Sequence, residues 1–411
     1  MSPAANRPAP GSLRWDLFCR VIDNLGDAAV CWRLARQLAQ DHGQTVRLWI
    51  DQPDVLARLV PGARPGRTQQ GVRIEAWHSN APALSSTRRA DVADRVIAGF
   101  GCELPPAYRS AMRQRRPVWI NLEYFSTEAW TQGSHGLPSP KSDGLIEHFF
   151  FPGLGPQTGG VLREQNLLIE REAFQRDPWA RSEFLARLGL AVQPGQRVAS
   201  LFAYPDAPWT SLLEGLAHSA TPWTVLVPQG ILSDLKVSDL KVSEQKVSDL
   251  NVSEQKATGS QGSLTIKRIP FLPQDDYDRL LWSCDLNLVR GEDSLIRALW
   301  AARPMIWQAY PQAEAAHLPK VAAWLDHLLD AAGTGPVQNP PDDRLDEPAA
   351  AIRQAWMAWN SDPDAPPAGP ALQRALAHGA RWQALSVSLC EREASLPSLA
   401  DRLLAFTESR L

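Results

Sequence analysis

Cysteine is scarce in this chain and has no pairing pattern: Cys19, Cys31, Cys102, Cys284 and Cys390 are the only five in 411 residues, and none forms a CxxC. An odd number without close spacing excludes a disulfide framework and a cysteine zinc cluster, and leaves reduced, mostly buried thiols. No apolar run approaches the ~20 residues that span a bilayer. The opening MSPAANRPAPGSLR holds no signal-peptide core. A cytoplasmic protein with no membrane partner is expected, with an irregular leader over residues 1–13. An excess of one charge is missing as well: 42 Lys and Arg against 45 Asp and Glu give a formal charge of -3, which argues against a nucleic-acid partner. The eight histidines show no ligand spacing, and His135 in HGLPSP reads as a loop-ordering hydrogen-bond partner rather than a base.

What the chain does have is length and apolar content. At 411 residues and 44% hydrophobic it exceeds what one core usually supports, so two domains are expected. Sixteen Trp and 34 Pro suit broad packed surfaces and many fixed turns. Short apolar runs alternate with helical patterns from Trp15 to Tyr124 and again from Val198 to Gln308, which predicts two mainly parallel, doubly wound α/β sheets. The boundaries expected are 14–190 for an N-terminal Rossmann-like domain, 191–385 for a C-terminal one, and 386–411 for a helix packing back on the first. Residues 125–164 are rich in Gly, Pro and Ser with few helical signals, and such long irregular segments tend to be functional. Residues 233–261 form a low-complexity insertion built on KVSDL, KVSEQ, KVSDL and NVSEQ; its five-residue period fits neither helix nor strand, and a solvated, irregular arm is expected.

Two corners carry chemistry. The first is Asp23-Asn24-Leu25-Gly26-Asp27, between an apolar run and a helical pattern with Cys31, Leu34, Ala35 and Leu38 on one face. In an open α/β sheet such a corner lies where ligands bind. It lacks G-x-G-x-x-G and puts carboxylates where a dinucleotide pyrophosphate would need bare backbone, so the dehydrogenase reading does badly. Asp27 has two readings from residues alone, a helix N-cap or a functional carboxylate. The second corner is Arg290-Gly291-Glu292-Asp293, read as a turn ending a strand, with Ser294 starting a helix. Arg290, Ser294 and a helix N-terminus suit a diphosphate; the competing reading makes Asp293 or Ser294 a cap and pairs Arg290 with a surface carboxylate. Asp276-Tyr277-Asp278 has the DxD spacing of a metal-held diphosphate, but it falls at a helix start, where acidic residues are favourable anyway. No metal is expected.

The corner DNLGDAAVCWRLARQLA, the segment NLEYFSTEAW with HGLPSP and FFFPG, and the block RGEDS…RALWAARP followed by YPQ together resemble the bacterial elongation factor P arginine rhamnosyltransferases. The resemblance runs from about Trp15 to the C-terminal helices, and the pentapeptide repeat is its departure. It implies a GT-B architecture, two Rossmann-like domains facing across a cleft, and an inverting glycosyltransferase without a cofactor. The implied donor is dTDP-β-L-rhamnose and the implied acceptor one arginine in the N-terminal domain of elongation factor P, activating that factor for ribosomes stalled on polyproline. By the same resemblance Asp23, Asp27 and Glu292 are the essential acidic residues, with Asn24 and Gly26 on the acceptor side. The donor pocket falls on Phe202, Tyr204, Phe271, Gln274, Tyr277, Arg290, Gly291, Asp293 and Ser294, with aromatic rings around the thymine. A monomer is implied. The alternatives are a nucleotide-sugar transferase with another acceptor, or an inactive binder of elongation factor P.

Overall fold

The computed structural model describes residues 13–22, 25–77, 88–232, 243–244, 254–258, 263–330 and 346–410. The chain divides into two compact units, Met1–Gln165 with Ala394–Leu411, and Asn166–Glu393.

In the first unit, β1 (Arg14–Cys19), α1 (Gly26–Gln40), β2 (Thr45–Ile50), α2 (Pro53–Leu59), β3 (Thr68–Gln69), β4 (Val72–Ala76), β5 (Arg95–Gly99), α3 (Pro106–Arg115), β6 (Val118–Leu122), α4 (Ala129–Ser134), β7 (Pro138–Pro140) and β8 (Ile146–Phe150) build one sheet. Its order is β3-β4-β2-β1-β5-β6-β8-β7. The six strands from β4 to β8 run parallel, and β3 and β7 close the edges antiparallel. The order reverses between β1 and β5, the place where such sheets bind ligands beyond the carboxyl ends. Buried runs such as LFC and VIAG are what a sheet covered on both faces requires.

Burial of α1 goes beyond the single face its pattern suggests: Ala28 to Ala35 are all buried, with Arg33 fully so. The reason is the C-terminal helix Leu399–Glu408, which lies over α1 in the same unit. Its Ser398 accepts from Gln37 at 3.3 Å, and the Leu399 N–H reaches the Val161 carbonyl at 2.9 Å.

The stretch 125–164 is more regular than its composition suggests. It forms α4 and a β7–β8 hairpin, then a tight loop in which a Cβ on Gly159 would meet the Phe150 ring at 2.6 Å. The glycines there serve close packing rather than looseness. Arg402 of the C-terminal helix donates to the carbonyls of Gly155 (2.9 Å) and Thr158 (2.6 Å) and holds this loop.

The second unit holds α5 (Leu167–Arg176), α6 (Pro178–Arg187), β9 (Arg197–Leu201), α7 (Trp209–Ala217), β10 (Trp223–Pro228), β11 (Ser243–Glu244), β12 (Glu254–Thr258), β13 (Ser263–Ile269), α8 (Gln274–Ser283), β14 (Leu286–Arg290), α9 (Gly291–Ala301), β15 (Met305–Gln308), α10 (Leu318–Leu329), α11 (Glu347–Trp359), α12 (Ala368–Ala377) and α13 (Gly379–Ala394). The sheet order is β11-β12-β13-β10-β9-β14-β15, parallel from β13 to β15 and reversing between β9 and β14. Each unit is thus a doubly wound, Rossmann-like α/β layer.

Two observations differ from the boundaries read in the sequence. The chain changes unit at Gln165, not near 190, because α5 and α6 pack on the second sheet's helices: Phe174 meets Phe184 and Trp282 edge-on at 6.1 and 5.7 Å, and Gln175 donates to the Ala301 carbonyl at 3.0 Å. Within the repeat segment, β12 joins the second sheet antiparallel to β13 and β11 pairs antiparallel with β12, where a wholly irregular arm was expected. An edge strand is held by backbone hydrogen bonds and needs no apolar period to form. The rest of the repeat lies outside the described residues. Among those residues, no helix is long and apolar enough to cross a membrane, and all five cysteines are buried free thiols.

Candidate active site

The first corner leaves β1 at the point where the strand order reverses. Its backbone is tied at two places: the Val21 N–H donates to Asp51 Oδ1 at 2.9 Å, and the Ile22 N–H donates to Asp27 Oδ2 at 2.7 Å. Asp23 and Asn24, expected to act with Asp27, lie outside the described residues. Gly26 begins α1 and Asp27 is the second helical residue, 2% exposed. The cap position belongs to Leu25 and no side chain caps the helix, so Asp27 is not its N-cap. Its carboxylate instead reaches back to the loop, and Oδ1 faces the Tyr124 hydroxyl at 3.4 Å.

Tyr124 was not singled out from the sequence. It follows β6, stacks on Phe100 at 4.5 Å and 18°, and so stands beside Asp27 at the carboxyl ends of the strands. Phe100 takes a left-handed φ of 57° to present that ring. Asn121 ties the same rim together, accepting from Gly101 N–H at 2.9 Å and donating to Glu123 at 2.8 Å. Burial, and then the neighbouring Glu147, push the Glu123 pKa up. No local pattern marks Tyr124: strand order brings it there, since β6 stands two places from β1 in the sheet.

The second corner lies in the second unit, at the reversal between β9 and β14. Arg290 ends β14, its Nη1 donates to the Ala203 carbonyl at 3.0 Å, and its guanidinium lies over the rings of Phe202 (4.6 Å) and Tyr204 (4.5 Å). Such stacking fixes the cation with its remaining donors available in one plane. Tyr204 is held by its own N–H to Gln308 at 2.7 Å, and Phe202 tilts against Tyr277 at 5.8 Å. Gln274, buried, and Tyr277, half-buried, come from the first turn of α8, and desolvation drives the Tyr277 pKa up. Phe271 is half-buried in the connection from β13 to α8.

No turn separates β14 from α9. The helix starts at Gly291, whose φ of +67° turns the chain in one step, and no side chain caps it. Asp293 is therefore its third residue and Ser294 its fourth, one turn inside rather than at the start, and neither is a cap. Glu292 pairs with Lys320 of α10 at 3.2 Å, and Trp307 donates to the Gly291 carbonyl at 2.9 Å, so the first turn is gripped from two sides. A helix N-terminus beside a stacked arginine is chemically a seat for a diphosphate.

The DxD residues point to arginines. Asp276 binds Arg279 at 2.8 Å, and Asp278 takes a two-pronged bond from Arg297 at 2.9 and 2.6 Å. Among the described residues no three His, Cys, Asp or Glu side chains gather as a metal site would require.

Comparison with known proteins gives a consistent result. A family model described as Elongation-Factor P (EF-P) rhamnosyltransferase EarP matches residues 15–408. The chain is 43% identical to a protein-arginine rhamnosyltransferase of Pseudomonas aeruginosa over 402 residues, covering 95% of this chain and 98% of that protein. It is 42% identical to the protein of the same name from Pseudomonas putida, covering 97% and 99%. A solved structure described as the structural basis for EarP-mediated arginine glycosylation of translation elongation factor EF-P superposes with a TM-score of 0.64 at 32% identity, covering 97% of this chain and all of that one.

Proposed function

Since the chain belongs to the elongation factor P rhamnosyltransferase family and is a protein-arginine rhamnosyltransferase, we propose that it transfers L-rhamnose from dTDP-β-L-rhamnose to one arginine in the N-terminal domain of elongation factor P, with inversion at the anomeric carbon. The donor binds on the second unit. Arg290 and the start of α9 take the diphosphate, Ser294 and Asp293 line the same turn, and Phe202, Tyr204, Phe271, Gln274 and Tyr277 surround the thymidine. The acceptor arginine meets the corner of Asp27, with Asp23, Asn24 and Gly26 around it. The enzyme works in the cytoplasm as a monomer, without metal, cofactor, nucleic acid or membrane.

The observation that carries the acceptor assignment is Asp27: a nearly buried carboxylate at the strand reversal, aimed by the Ile22 N–H and beside the Tyr124 hydroxyl rather than spent on capping its helix. In the transfer, a guanidinium nitrogen forms the bond to the anomeric carbon while the carbon–oxygen bond to dTDP breaks, and dTDP leaves with the electron pair. Deprotonating a guanidinium first is costly, because its pKa lies about eight units above that of a carboxylate. Asp27 therefore orients the guanidinium and accepts its proton late, when bonding to the sugar has acidified the nitrogen. Asp23 supports it, and Glu292 holds the donor or the acceptor's charge.

Incubation with dTDP-rhamnose and elongation factor P, followed by intact mass measurement, tests the reaction: a single added deoxyhexose on one arginine is expected. Asp27→Asn keeps the shape and the acceptor for Ile22 while removing the base, and should fold normally yet add no mass. An active Asn variant would remove Asp27 from the chemistry. Addition from another sugar nucleotide only would move the donor assignment.

A further inference from the structure

The buried pair Asp278–Arg297 stands one step behind the donor residues and has no assigned role. Both side chains are almost inaccessible, 6% and 2%, and the guanidinium gives Nε to one carboxylate oxygen and Nη2 to the other at 2.9 and 2.6 Å. A buried ion pair is a poor source of stability, because desolvating two charges costs about what their attraction returns, and an apolar pair of similar size often serves a core as well. What a fork-to-carboxylate contact does supply is direction: two parallel bonds fix the angle and the offset between the groups that carry them.

Those groups are the two helices of the donor site. Asp278 follows Tyr277 on α8, one turn from Gln274, and Arg297 sits three residues after Ser294 on α9. Helical residues three apart lie on one face, so Arg297 and Ser294 approach α8 together. We infer that Asp278–Arg297 is a positioning pair: it fixes the register of α8 against α9, and so the distance between the thymidine end of the donor site, on α8, and the diphosphate end, on α9. It touches no substrate. Since Asp278 is committed to Arg297, the DxD spacing in this chain reflects helix alignment rather than a metal ligand pair. The inference rests on the donor assignment given above.

The test separates the two. Calorimetry with dTDP on the wild-type protein comes first; absence of binding there would sink the donor assignment, and the positioning role with it. Given binding, Arg297→Lys keeps the charge but loses the fork. It should weaken dTDP binding and raise the KM for dTDP-rhamnose by about tenfold or more, the scale on which small misplacements act, with the KM for elongation factor P unchanged. The double variant Asp278→Leu with Arg297→Met leaves no unpaired buried charge and should melt at or above the wild-type temperature, yet show the same loss of dTDP affinity. Wild-type dTDP affinity in either folded variant would reduce the pair to a core contact and overturn the positioning role. Failure of both variants to fold would do the same.

Discussion

His135 shows how one residue's surroundings set its chemistry. Its Nδ1 accepts the Phe151 N–H at 3.1 Å, and its ring packs on Phe150 at 4.5 Å. Burial, then the charge of Arg402, lowers its pKa from 6.5 to about 4. His327 in the second unit is likewise lowered to about 4, by burial and then Arg392. A histidine kept neutral in the fold binds fewer protons than its unfolded counterpart between those values, so its contribution is complete above about pH 6.5 and is lost as pH falls towards 4. Urea unfolding between pH 7 and 4 should show stability decreasing with acidity. His135→Asn, which leaves an acceptor near the Nδ1 position, should flatten part of that slope, with the His327 share remaining. The loop-ordering role was legible in HGLPSP because glycine and proline around a histidine mark a loop that needs an acceptor. The neighbourhood of Asp27 was less so. Its capping alternative could be set aside only with the helix start at Gly26 and the cap at Leu25 in view, and Tyr124 is brought beside it by strand order, which no local pattern encodes.

Among elements, the α8 and α9 starts decide how the donor end is read. Asp276 is bound to Arg279 and Asp278 to Arg297, and on the proposed reading the leaving diphosphate falls to Arg290 and the first turn of α9. The expected outcome is that transfer survives EDTA at its full rate; loss of activity restored by magnesium would reverse the assignment. The strands themselves were readable from composition, since VASL, WTVLV and LNLV are buried on both faces and appear as apolar runs. The first turn of α9 was misplaced by one turn because Gly291 looks like a loop residue in sequence, whereas a single left-handed glycine can join a strand to a helix with no loop at all. Likewise β11 and β12 are backbone-paired edge strands in a repeat with no helical or strand period, a kind of order that apolar patterning does not report.

Across the whole molecule, the two sheets were legible and the place of α5 and α6 was not. Helices α5 and α6 precede the second sheet yet belong to its unit, and the last helix, Leu399–Glu408, belongs to the first. A helix's partner is chosen by its apolar face, and sequence shows that a face exists without showing what it meets. Leu403 is fully buried in that last helix. Leu403→Ala should cost about 2–5 kcal/mol, read in calorimetry as a lower melting temperature for the first unit, with the second unit's transition and its dTDP binding unchanged. A single shifted transition containing both units would show that they melt as one. The return of this helix also sets an order of manufacture. The first sheet is begun by β1 and roofed by a helix translated much later, and about 250 residues separate β8 from that roof. At ordinary translation speeds the interval is roughly 10–50 seconds, during which the second unit can be completed while the first waits. A chain stopped before Leu399 therefore keeps the sheet of the second unit and lacks the helix that finishes the half carrying Asp27.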